Sequence, residues 1–190
     1  MMNKLKFVFL STLILWCIVA CTNEQKRTQS LNTQAIMDYQ GQVEQKIIEL
    51  EKANQNLVLE DQGVYWGNDS LDFIMLSEFA KEQKMYFYFS YNTCSPCVQE
   101  CVNMLERYMP DYLENENIVF LSPDYLPRFR QNCYGKVLLG LRNEELGIPL
   151  EKEEVPFFFT LDKNLSIKNL HVVNKNDFKK TGAYLKKMRN

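Results

Sequence analysis

Cys94 and Cys97 enclose the dipeptide Ser95-Pro96, midway along an otherwise apolar and aromatic stretch, residues 85–109. Two thiols at this spacing can carry out disulfide chemistry or hold a metal. The run Tyr86 to Phe89 is too short and too aromatic for a helix and reads as a buried strand. From Ser95 onward the apolar period becomes helical, through Val98, Val102, Leu105 and Met109. Pro96 suits a first helical turn, where no backbone N–H is required and its fixed φ already fits. The free N–H groups and positive end of such a helix favour a thiolate, so Cys94 is expected to be the attacking sulfur with a lowered pKa. Cys97, one turn further in, is then placed to resolve a mixed disulfide formed on Cys94. Zinc would need a second pair of ligands, and the chain has no second Cys-x-x-Cys and a single histidine. Redox chemistry is therefore expected here, with no cofactor and no metal.

The other reactive side chains read more plainly. Cys101 falls on the buried stripe of the same helix, where a small core residue is the expected role. A Cys97–Cys101 bridge would have to span one helical turn, near the limit of disulfide geometry. Cys133 is expected to stay outside any disulfide, on a helix lying across the sheet from Cys101. No acid occurs in Met85 to Ser90, and Glu100 lies off the apolar face of its helix, a weak candidate for general base. His171, in a later strand, could complete a copper site with Cys94 and Cys97, since soft thiolates suit Cu(I), but an edge-strand histidine is the simpler reading.

The elements that must position these residues follow from the patterning. Lys4 and Lys6 precede an apolar run, Phe7 to Ala20, which is shorter than the roughly 20 residues of a spanning helix. Residues 1–20 therefore read as an export signal. Ile18-Val19-Ala20-Cys21 resembles the lipobox of bacterial lipoproteins, which implies that Cys21 becomes the lipid-modified N-terminus. Thr22 is not the aspartate that commonly marks inner-membrane retention, so the outer membrane is mildly preferred. With Lys4 and Lys6 removed, the formal net charge of −2 becomes about −4, which argues against nucleic acid as a partner.

Residues 21–33 are polar and aperiodic and read as a tether. A helix is expected over 34–56, with Ile36, Tyr39, Val43, Ile47 and Leu50 on one stripe, docked on the protein's own domain. Two short strands around a Gly63 turn, then a helix through Phe73, Leu76, Phe79 and Ala80, lead to the strand at Met85. Ile118 to Leu121 reads as a second buried strand. A short helix to about Cys133 is expected to stop at Gly135. Lys136 to Leu141 is either strand or extended chain, and 146–154 is an acidic loop. Phe157 to Asp162 and Leu165 to Val173 form a hairpin. A final helix from about Asp177 buries Phe178, Thr181 or Ala183, Tyr184, Leu185 and Met188.

This order resembles the thioredoxin-like thiol–disulfide proteins of the TlpA/ResA kind, which are exported and membrane-tethered. The resemblance is carried by Cys94-Ser95-Pro96-Cys97 after an aromatic strand, by Val155-Pro156 before Phe157-Phe158-Phe159, and by the Asp162-Lys163 hairpin beyond. It implies an α/β, thioredoxin-like fold over residues 57–190, a central mixed sheet flanked by helices, with an N-terminal helical extension. It also implies that Pro156 is cis and packs against the two sulfurs, while the Val155 backbone binds an extended substrate as an added strand. The implied activity is thiol–disulfide exchange on exported protein or peptide thiols. The protein would be anchored through lipid on Cys21, face the periplasm, and be recycled by an envelope redox partner. Two departures point towards the alternative of a redox-inactive binding or scaffold protein with a structural disulfide. Thr93 stands where the family usually has Trp, and the buried acid is absent. A peroxidase would need a Thr-x-x-Cys arrangement, and Thr93 instead adjoins Cys94.

Overall fold

The computed structural model describes residues 33–65, 73–81, 83–123, 133–142 and 145–189. The expected signal, Cys21, the tether up to residue 32, Trp66 and the helix expected just before Cys133 lie outside the described residues. The chain divides into two units, residues 1–45 and 46–190. In the first unit, residues 33–45 are helical, and Ile36, Met37 and Tyr39 are all exposed.

The second unit opens with helical residues 46–54 (α1). The strands are β1 (Gly63–Tyr65), β2 (Phe73–Met75), β3 (Met85–Tyr88), β4 (Ile118–Ser122), β5 (Leu138–Leu141), β6 (Phe157–Leu161) and β7 (Ile167–Val172). The further helices are α2 (Leu76–Phe79), α3 (Ser95–Tyr108) and α4 (Lys179–Arg189), and a 3-10 turn spans Pro149–Glu153. Among the described residues the strands form one mixed sheet in the order β2-β1-β5-β4-β3-β6-β7. β3 runs parallel to β4, antiparallel to β6, and β6 antiparallel to β7. A parallel pair whose first strand leads into α3, next to an antiparallel hairpin that ends in α4, is the thioredoxin-like arrangement.

Side chains alternate across the strands as the pleat requires. Phe87, Phe120 and Phe158 enter one core with Val98, Cys101, Leu105 and Leu185 from α3 and α4. Tyr86, Tyr88, Val119, Phe157 and Phe159 enter the other, with Leu59, Leu76 and Leu150, and Ile47 and Leu50 of α1 pack against it. Phe87 stacks on Phe158 at 4.5 Å and Tyr86 on Phe159 at 5.1 Å, so the β3–β6 pairing is aromatic on both faces.

Several expectations are corrected. Gly63 is not a turn residue but the first residue of β1, where a Cβ would come within 2.9 Å of the Phe73 ring. Phe73 opens β2, paired with β1, and only Leu76–Phe79 are helical. Phe73 stays at the surface, edge-on to Tyr65 and under Arg142. Gly135 does not end a helix. With Tyr134 (φ 52°) and its own φ of 82° it makes the two-residue turn of the Cys133–Lys136 bridge, a conformation that glycine tolerates at no steric cost. Lys136 to Leu141 resolves as strand from Leu138 onward, parallel to β4 and antiparallel to β1. The acidic loop contains a 3-10 turn, whose Glu151 side chain accepts the N–H groups of Leu146, Gly147 and Ile148. In α4 the buried alternative is Thr181, and Ala183 is exposed.

The outer edge of β7 is covered by the end of α1 and the chain after it. Glu51 Oε1 accepts the Val172 N–H (2.9 Å), Gln55 Oε1 accepts the Leu170 N–H (3.1 Å), and Ile167 exchanges backbone bonds with Asn56 and Leu57. An open edge would invite pairing with another chain. Glu51→Ala leaves the buried Val172 amide without its acceptor and is expected to cost about 1–3 kcal/mol. Urea unfolding checks this, with Glu51→Gln retaining most of the stability. An Ala variant as stable as the parent would show that the cap contributes nothing.

Candidate functional site: a disulfide at the start of helix α3

Cys94 and Cys97 are joined in a disulfide, with Cα atoms 5.2 Å apart. Cys94 occupies the cap position of α3, and its carbonyl accepts the N–H groups of Cys97 (2.9 Å) and Val98 (3.1 Å). Pro96 sits in the first turn, as its sequence position implies. The two sulfurs differ in access: Cys94 is exposed and Cys97 is 7% exposed. That asymmetry is what exchange chemistry requires, because an outside thiol can reach one sulfur while the other stays reserved for resolution.

The turn that leads into Cys94 is held on both sides. The Thr93 N–H donates to the Ser90 carbonyl (3.1 Å), and the Ser90 N–H donates back to Thr93 Oγ1 (2.9 Å). The two hydroxyls also lie 3.2 Å apart. Thr93 is buried, while Tyr91 and Asn92 at the tip of the turn are exposed.

Val155 and Pro156 reach the same end of the sheet. Tyr88, the last residue of β3, pairs with Phe157, the first of β6, so the chain before Phe157 runs beside the chain that follows β3. Val155 is half-buried and Pro156 buried. No peptide bond among the described residues is cis, which corrects the expectation for Pro156. The approach is made by the preceding residue: Glu154 adopts a left-handed conformation (φ 52°) at the end of the 3-10 turn, and this reverses the chain into β6. The Pro156 carbonyl is engaged by the Val173 N–H (3.1 Å).

Cys101 is fully buried, and its thiol is pushed up to about 12 by burial and, secondarily, by the charge of Glu100. It is a core residue and no nucleophile at working pH. Cys133 is a buried thiol in the same core as Cys101, which corrects the expectation that the two lie across the sheet from one another. The reason is that Cys133 belongs to the turn before β5 and not to a helix on the far face. Glu100 accepts a hydrogen bond from Asn103 (3.1 Å) on the flank of α3, so it does not serve the sulfurs from beneath.

His171 does not join the cysteines. Its Nε2 lies 2.9 Å from Thr181 Oγ1, its Nδ1 lies 3.4 Å from Glu51, and its ring stacks on Tyr184. Among the described residues no cluster of three or more His, Cys, Asp or Glu side chains is arranged to hold a metal ion. Sequence reasoning missed the Ser90–Thr93 pairing. The signal was there, a hydroxyl residue at each end of a four-residue break between strand and helix.

No family model and no curated protein matches the chain. Solved structures do resemble it. Reduced Prx3 from Vibrio vulnificus is 14% identical with a TM-score of 0.46, covering 69% of this chain and 97% of that one. AhpC from Enterococcus faecalis is 14% identical at 0.46, covering 72% and 92%. An uncharacterized thioredoxin-like protein from Porphyromonas gingivalis is 16% identical at 0.45, covering 72% and 97%. Likenesses of this strength carry no argument about activity, and the thioredoxin-like assignment rests on the strand order and pairing described above.

Proposed function

We propose that this protein is a lipid-anchored thiol–disulfide oxidoreductase that faces the periplasm and acts on exported protein or peptide thiols. The observation that carries this reading is the exposed Cys94, bonded to a buried Cys97 at the start of α3 in a thioredoxin-like fold. In the reducing direction, the Cys94 thiolate attacks a substrate disulfide, forms a mixed disulfide, and expels one substrate sulfur as a thiolate that takes up a proton. Cys97 then loses its proton and attacks Cys94 Sγ, which releases the second substrate thiol and re-forms Cys94–Cys97. Two electrons pass from the protein to the substrate, and a second thiol protein of the envelope restores the dithiol. The oxidising direction is the same sequence reversed, and the reduction potential decides between them. The lipid on Cys21 and the periplasmic location belong to this proposal on the strength of Ile18-Val19-Ala20-Cys21.

The test is the reduction potential of the full chain in mild detergent, titrated against glutathione or dithiothreitol, with Cys94→Ser as control. A reversible two-electron couple between roughly −120 and −270 mV, lost in the variant, is expected. A couple below about −300 mV would mark a structural disulfide and favour a binding or scaffold role.

A further inference from the structure

The residue before the first cysteine is one of the two points at which this sequence departs from the proteins it resembles. Thr93 is buried, with its side-chain hydroxyl bonded within the turn that precedes Cys94. It is the hub of a reciprocal latch. The Thr93 amide donates to the carbonyl of Ser90, and the Thr93 hydroxyl oxygen accepts the amide of Ser90, each end of the turn holding the other. The Ser90 hydroxyl, 3.2 Å from Thr93 Oγ1, closes the set. One residue on, Cys94 takes φ −48° and ψ 108°, the backbone setting from which its carbonyl receives the N–H groups of Cys97 and Val98. Phe89, immediately before the latch, is buried against Phe87 and Phe120, so the turn is anchored to the core at its entrance.

We infer that Thr93 is a positioning residue of this redox centre, whose hydroxyl locks the 90–93 turn and so holds the Cys94 sulfur over the start of α3. The inference rests on the oxidoreductase reading above. A thiolate is favoured by the helix N-terminus only while it stays within the first turn, because the effect falls off over that distance. A turn free to open lets the sulfur move away from the helix end, and the thiolate then loses part of its stabilisation. In this chain a side-chain hydrogen bond provides the rigidity of the loop.

The test compares the full chain with Thr93→Val and Thr93→Ser. Valine keeps the shape and burial and removes only the hydroxyl; serine keeps the hydroxyl. The readouts are the pH profile of Cys94 alkylation in the reduced protein and the reduction potential, alongside thermal melting. Thr93→Val is expected to move the midpoint of the alkylation profile up by about half to one pH unit, leaving three- to tenfold less thiolate on the acid side, with a more reducing potential. Thr93→Ser is expected to restore the parental midpoint. Should Thr93→Val fail to fold, Ser90→Ala replaces it and is expected to shift the profile in the same direction by less. A melting temperature that falls while the profile and potential stay fixed would reduce Thr93 to a stabilising residue and overturn the inference. A parent protein with no reversible couple would instead remove the oxidoreductase reading, so the two failures are distinguishable.

Discussion

Cys97→Ser is expected to accumulate as a mixed disulfide with its partners, whereas Cys94→Ser is expected to form none. The asymmetry follows from access. Cys94 is exposed at the cap of α3, and Cys97 lies beneath it within the first turn. A substrate sulfur can meet only the outer cysteine, and without Cys97 the resulting bond has no internal nucleophile to break it. Turnover with a disulfide substrate should fall to the uncatalysed rate in both variants, so loss of activity alone does not assign the roles. Non-reducing gels of the two variants, run after trapping in cells with acid, make the distinction. Adducts on Cys94→Ser, or equal adducts on both, would reverse or erase the assignment. The Cys101 thiol does not confuse the experiment, because burial and the charge of Glu100 keep it protonated.

Phe158→Ala is expected to remove a large share of the stability of the fold. Phe158 is fully buried in β6, stacks on Phe87 at 4.5 Å, and packs against Tyr184 of α4 at 5.9 Å. It thus joins β3 and β6 to the terminal helix. Truncation costs about 3–5 kcal/mol in comparable sites, against a total of roughly 5–15 kcal/mol for a domain. Phe158→Leu, which keeps most of the volume, should cost about 1.5 kcal/mol or less. Guanidinium unfolding of the full chain followed by near-UV circular dichroism measures both. If Phe158→Ala lowers stability by less than about 1 kcal/mol, the core closes around the gap and the aromatic seam is not what unites the sheet with α4.

β3 itself offers no carboxylate, which bears on rate more than on capacity. β3 carries only Met85, Tyr86, Phe87 and Tyr88, and Glu100 is occupied with Asn103 at the helix flank. Under the proposed function, deprotonation of Cys97 during resolution then relies on solvent or on the departing thiolate. Exchange would be slower than with a dedicated base, and its direction would be unchanged, because direction depends on the relative stability of dithiol and disulfide.

Local pattern determined most of what surrounds the sulfurs. The aromatic run of β3, the proline in the first turn and the helical stripe Val98, Val102 and Leu105 are short-range features, and each specifies its element without help from the rest of the chain. The same holds for β4, for the hairpin turned at Asp162, whose Oδ1 accepts the Asn164 and Ser166 amides, and for α4. Other outcomes depended on partners distant in sequence. Phe73 becomes a strand residue because β1 offers it an edge, although its neighbours share a helical stripe. Gly135 serves a turn, and Cys133 falls on the face of α3, because β5 pairs parallel to β4 and the chain must enter it from that side. The Val155–Pro156 bond is trans, and the left-handed Glu154 lies just before it, neither of which the local pattern announces. Periodicity reports which side of an element is apolar. Which neighbour covers that side, and which backbone groups meet across a gap, are decided only when the strands choose their order.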